Sequence, residues 1–307
     1  MKTSKLLIIG AFFSIYIIWG STYLFNKIAV TEIPPLFLAT IRFLMAGLLI
    51  ILIAKLLKIP TKLSKNQFVN SLIAAFLFLV YGNGVFVWAL KYVDSGFAAL
   101  LASTQPLFVL FLLRLIDGKR MQRKSMIGVL LGMIGMYLLV SQEEISTSEG
   151  SVLGIFMMLT CVLSWSYGSV FVAKADLPKN YLVSTGYQML FAAIMLGTAS
   201  LIFKETWISP FEWSYKTQMS MVFLIIFGGI VAFTAFNYLL KMVSPEKVAT
   251  SAYVNPVIAL VLGWSLLDEE LTRQSIIASV VLLTGVYFIT SRKRIAKNKV
   301  TTKPQKI

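Results

Sequence analysis

Arg42 lies within an apolar run, 34–54, that carries no further charge until Lys55. It sits roughly eight residues into that run, or about 12 Å by helical rise. A cation at such depth in a membrane costs about 2.5–3.5 kcal/mol, so it must face a cavity or a partner. Two chemistries stay open. Arg42 can be the counter-charge for a substrate carboxylate or phosphate. It can instead bond carbonyls freed near a break in a neighbouring helix, or snorkel to the surface. The other polar groups at this depth are neutral. Trp19, Thr22 and Asn26 fall in one run, Tyr81 and Asn83 in another, and Gln105 in a third. Trp165 and Tyr167, Gln188, Asn237, and Tyr253 with Asn255 follow in later runs. Thr22 and Asn26 share a helix face at i,i+4. Amides and hydroxyls in hydrocarbon need partners, so these groups point inward, either to line a cavity or to join helix to helix.

Chemistry of the enzymatic kind is not indicated. The chain has no histidine, and its 13 acids fall in loops or at the edges of apolar runs, among them Glu32, Asp94, Asp117, Asp176, Glu205 and Glu246. Without paired acids or a Cys/His cluster there is no metal site, no cofactor and no general acid/base pair to assign. The single cysteine, Cys161, lies in an apolar stretch and excludes a disulfide framework. A proton relay through buried carboxylates is disfavoured for the same reason.

The elements that must position these side chains are membrane spans. Apolar residues make up 58% of the 307 positions and charged residues only 13%, against roughly 25% in soluble domains. Runs of about 20 apolar residues place ten spans near 6–26, 34–54, 68–90, 96–116, 125–141, 151–173, 181–203, 218–240, 247–267 and 274–291. The first is too long, and too polar around Trp19–Thr22, to be a cleaved signal peptide. Most of the 28 Lys and Arg residues fall in alternate loops and in both end segments. The positive-inside rule then puts both termini in the cytoplasm. The tail 292–307 is basic and reads as a topology anchor able to meet anionic lipid. Despite a net charge of +15, no folded basic surface is available for nucleic acid.

The chain also repeats itself. Shifting 86–141 by 150 positions pairs Gln105-Pro106 with Asn255-Pro256, Gly135 with Gly285 and Tyr137 with Tyr287. A shift of 146 pairs Trp19 with Trp165 and Arg42 with Gln188. The loop between the paired segments changes sign, from Gly118-Lys119-Arg120 to Asp268-Glu269-Glu270. Two copies lying opposite ways across a membrane give that pattern, and inverted repeats are the architecture of secondary transporters. The expected fold is an all-α integral membrane protein with ten transmembrane helices as two inverted five-helix repeats. Its expected divisions are 1–145, 146–291 and the tail 292–307. Pro106 and Pro256 are expected to kink the fourth and ninth spans, with Gln105 and Asn255 satisfying the carbonyls released there. Gly128-x-x-x-Gly132 is a close-packing face, for the monomer or for a weak homodimer.

Particular residues also resemble a known family. Trp19-Gly20-Ser21-Thr22, Pro34-Pro35 followed by Arg42, Ala98–Leu101 leading to Pro106, and Tyr253–Pro256 followed by Leu267–Thr272 resemble the EamA family of the drug/metabolite transporter superfamily. The resemblance runs over roughly 10–290. It implies a ten-helix, two-repeat exporter or importer of small metabolites with a central cavity. Lys119 stands where the first repeat of that family often has an acid. The combined expectation is an alternating-access carrier in the cytoplasmic membrane for a small neutral or zwitterionic metabolite, amino acids first, with efflux favoured only by analogy. A flippase for lipid-linked substrates and a non-transporting scaffold or sensor are the alternatives.

Overall fold

The computed structural model describes residues 2–89, 92, 101–118, 122–141, 151–267 and 272–290, and the regular structure among them is helical. Helix α1 is continuous through Lys2–Phe13, Ser14–Ile18 and Trp19–Ala29, the middle piece being π-helical. Then come α2, Pro35–Leu56, and α3, which runs through Lys65–Ala75, a π-helical Phe76–Val85 and Phe86–Ala89. Helices α4, Gln105–Asp117, and α5, Arg123–Val140, complete the first part. The second part holds α6, Ser151–Lys174, and α7, Tyr181–Ile202. Helix α8 runs through Tyr215–Phe223, a π-helical Leu224–Phe233 and Thr234–Met242. It is followed by α9, Ser251–Leu267, and α10, Arg273–Thr290. Among the described residues, 7 helices are long and apolar enough to cross a membrane: α1, α2, α3, α6, α7, α8 and α10. The charged loops 119–121 and 268–270, the stretch with Asp94 and the tail 292–307 lie outside the described residues.

Local sequence explains the helix ends. Pro35 opens α2, where its missing N–H costs nothing. The Glu205 carboxylate accepts from the free Leu36 and Phe37 amides at 3.1 and 2.7 Å. Asn180 caps α7 by accepting from Leu182 and Val183. Lys58 and Lys204 end α2 and α7 in the same left-handed conformation, each with φ of 55°. Ser64 and Gln67 form a capping box at the start of α3.

Helix α2 lies along α7 and α5 along α10, while α3 touches α6 and α7, α8 touches α1 and α2, α4 packs on α6 and α9 on α1. In lipid such contacts are held by close packing and interhelical hydrogen bonds, since the apolar effect between helices is lost. Small residues supply the closeness. A Cβ on Gly128 would meet the Gly285 carbonyl oxygen at 2.6 Å, and one on Gly285 would meet that of Gly128 at 2.7 Å.

The π-helical stretches matter because their carbonyls are reached by side chains of neighbouring helices. From α6, Ser164 donates to the Leu77 carbonyl at 2.9 Å and Cys161 to that of Tyr81 at 3.4 Å. From α1, the Trp19 indole donates to the Gly228 carbonyl of α8 at 3.3 Å.

Of the two prolines, Pro106 differs from expectation. Pro106 does not kink a helix interior: it is the second residue of α4, after a turn at 103–104, so its ring and missing N–H are tolerated. Pro256 does lie inside α9. The ninth apolar run is also divided, with a one-turn helix at Pro245–Val248 before α9 begins.

Candidate functional site

Arg42 is 8% exposed and is gripped from two sides. Its Nη1 donates to Asn26 Oδ1 of α1 at 3.0 Å, and its Nη2 to Asn83 Oδ1 in the π-helical stretch of α3 at 3.2 Å. The guanidinium carbon stands 4.5 Å from the Phe43 ring centre. Its Nε makes no hydrogen bond. Arg42 therefore neither snorkels nor rests on broken-helix carbonyls. It is a buried cation held by two neutral oxygens, and no described carboxylate pairs with it. Asn26 is held for this task because its Nδ2 donates to the Thr22 carbonyl at 2.8 Å. The Thr22 hydroxyl donates to the Trp19 carbonyl and its methyl lies against Gly228.

The counterpart Gln188 is fully buried. Its Nε2 donates to Ser184 Oγ and Asn237 Oδ1 at 3.0 and 3.3 Å, and Asn237 Nδ2 donates to Thr185 Oγ1 at 3.1 Å. Gln188 Oε1 has no partner. Each half thus sets a polar residue of its second helix against an asparagine of its third, charged in one half and neutral in the other.

One or two turns along α1 and α3 from Asn26 and Asn83, towards Lys5 and Lys65, an aromatic cluster fills the bundle. Trp19 and Trp165 meet edge-on at 6.0 Å between ring centres. Phe78, Phe233 and Phe236 close around them, with Phe78 at 5.0 Å from Trp165 and Phe236 at 5.0 Å from Trp19. The three phenylalanines carried no sequence signal. The tryptophans did, as a polar-tipped pair matched by the repeat.

Other candidates lie elsewhere. Tyr81 donates to Thr160 Oγ1 at 3.2 Å. Tyr167 is 43% exposed and stacks on Phe171, away from the aromatic cluster. Tyr253 is enclosed between α9 and α5, its ring filling the space above Gly132. Asn255, with its amide turned as its neighbours require, donates to the Ile15, Tyr16 and Ser251 carbonyls at 3.1–3.2 Å. Two of these belong to α1, so Asn255 serves a neighbouring helix as well as its own. The Gln105 amide nitrogen is buried without a partner, and only the Gln105 backbone oxygen is engaged, by Ser166 at 3.4 Å. Its expected role at a proline break is not met. No group of three metal-ligating side chains occurs among the described residues.

The model of the EamA-like transporter family matches residues 6–141 and again 152–291. The chain is 35% identical to a protein of Escherichia coli (strain K12) named "Uncharacterized inner membrane transporter YedA", over 99% of this chain and 97% of that one. It is 26% identical to a "Probable amino-acid metabolite efflux pump" of the same strain, over 89% and 91%. A solved crystal structure superposes with a TM-score of 0.77 at 19% identity, over 92% of this chain and 95% of the other, a likeness of fold. With a helical membrane fold and two family matches that together span nearly its whole length, this chain belongs to the EamA-like transporter family.

Proposed function

We propose that this protein is a secondary transporter that moves a small carboxylate-bearing metabolite, an amino acid first of all, across the cytoplasmic membrane by alternating access. The observation that carries the reading is Arg42: a buried guanidinium facing only neutral oxygens, with its Nε unpartnered. A buried charge without a counter-ion is costly, and a substrate carboxylate would supply the missing one.

Two inverted five-helix repeats, 1–145 and 146–291, provide the machinery in this reading. Several of the helix pairings recur when each helix is exchanged for the one five places along: α3 with α6 becomes α8 with α1, and α4 with α6 becomes α9 with α1. The equal lengths of α2 and α7, their matched left-handed ends and the two ten-residue π-helical stretches of α3 and α8 support it. So do the two separate family matches. The basic loops support termini on the cytoplasmic side, by the positive-inside rule. The aromatic cluster then closes the path between Arg42 and the cytoplasm, and the substrate leaves on the outer side. Efflux agrees with the name of one relative.

Transport in proteoliposomes, with a mixed pool of amino acids and other small metabolites scored by mass spectrometry, tests this reading. Uptake of an amino acid that is lost in Arg42→Gln is the expected result. Flux unaffected by Arg42→Gln would make Arg42 a packing residue, and no flux under any gradient would overturn the carrier.

A further inference from the structure

A guanidinium has five N–H donors in a rigid plane. A carboxylate takes two parallel ones at once, and the edge formed by Nε and the nearer terminal nitrogen, Nη2, is suited to this. In Arg42 that edge is half vacant. Nε has no partner, and Nη2 is occupied by Asn83 Oδ1 at 3.2 Å, the longer of the two bonds. Nη1, outside this edge, is held by Asn26 at 3.0 Å.

The two asparagines are unequal. Asn26 is tied through its own nitrogen to the Thr22 carbonyl. Among the described residues the Asn83 amide nitrogen makes no hydrogen bond, and Asn83 lies between Gly82 and Gly84 in the π-helical part of α3. It can rotate away from Arg42 without breaking a second bond.

Building on the carboxylate reading of Arg42, we infer that Asn83 is a resident stand-in for substrate. The α-carboxylate of an amino acid docks side-on across Nε and Nη2, displaces Asn83 Oδ1, and leaves Asn26 in place. The freed amide oxygen then accepts from the α-ammonium, which is bonded to the carbon that bears the carboxylate and so lies beside it. Asn83 exchanges one cationic donor for another, so no buried acceptor is left unpaired, and the unused Nε gains its bond. The site this describes selects α-amino acids over their deaminated acids, through Asn83, and over their amides, through Arg42.

The test uses Asn83→Asp and Asn83→Ala in proteoliposomes, each offered amino acids and the matching deaminated acids, with thermal unfolding in detergent read in parallel. Asn83→Asp fixes a carboxylate on the edge. Flux should fall at least tenfold, and added amino acid should no longer raise the melting temperature. Asn83→Ala should still move carboxylates while its preference for the amino acid over the deaminated acid drops at least tenfold. Wild-type flux within twofold in Asn83→Asp, or an unchanged preference in Asn83→Ala, overturns the inference alone. A wild-type protein that moves no amino acid overturns the carrier reading and this inference with it. If Asn83→Asp yields no folded protein, the preference ratio of Asn83→Ala decides.

Discussion

Tyr16 and Thr250 meet hydroxyl to hydroxyl at 2.6 Å, joining the π-helical stretch of α1 to the turn that precedes α9. By the shifts of the sequence repeat the counterparts of Tyr16 and Thr250 are Val162 and Leu100, neither of which has a hydroxyl. The lock is therefore one-sided. Tyr16→Phe should lower stability by about 0.5–1.5 kcal/mol, the net worth of one hydrogen bond, read as a fall in melting temperature in detergent. An unchanged melting temperature would show that the bond is idle.

Gln105 and Asn255 should respond with opposite signs. Asn255→Leu strips donors from the Ile15 and Tyr16 carbonyls and should cost about 1–3 kcal/mol. Gln105→Leu removes an amide nitrogen that has no partner, so stability should hold or rise. Thermal unfolding of the two variants side by side checks this, and equal losses would refute it.

Gly132→Ala should destabilise strongly. An added Cβ would stand 2.2 Å from the Tyr253 ring, and overpacking of that sort costs about 1–3 kcal/mol. Gly10→Ala is the control, since a Cβ there meets nothing within 4 Å. A Gly132→Ala protein that melts like the control would refute the packing at this seam.

Glu32 lies in the turn after α1 and accepts from the Ser214 amide at 2.9 Å. Hydrogen bonds from Ser214 hold its carboxyl below the usual value of 4.5. A depressed carboxylate stabilises the fold fully above its unfolded value, and the contribution fades as pH falls through the lowered folded value. The melting temperature of wild type should therefore drop towards that of Glu32→Gln on acidification below pH 4.5, with a constant gap above it. A gap that persists unchanged to pH 2 would argue against the contact.

Apolar runs and one misplaced charge made much of this legible beforehand. Arg42 announced itself because charge in such a run has few explanations, and Asn26 because its i,i+4 spacing placed it over Thr22. The π-helical stretches were not legible, since a wider turn leaves no mark in composition. Pro106 was misjudged because its effect depends on where the preceding helix stops, not on its own identity. The aromatic cluster was hidden for another reason. Phe76 is 45% exposed and Phe78 fully buried, yet in a membrane both the lipid face and the bundle face favour phenylalanine.

The glycine seam of α5 and α10 has a consequence for how the protein is made. Helix α5 closes the first half of the chain, but the surface that fits Gly128, Gly132 and Gly135 is Ala278–Ile289, together with Tyr253. Until synthesis reaches α10, the glycine face of α5 must wait in the bilayer, covered by lipid or by the insertion machinery. Helix α10 thus joins α5 only after the whole of the intervening chain has been made, and contacts so distant in sequence form late.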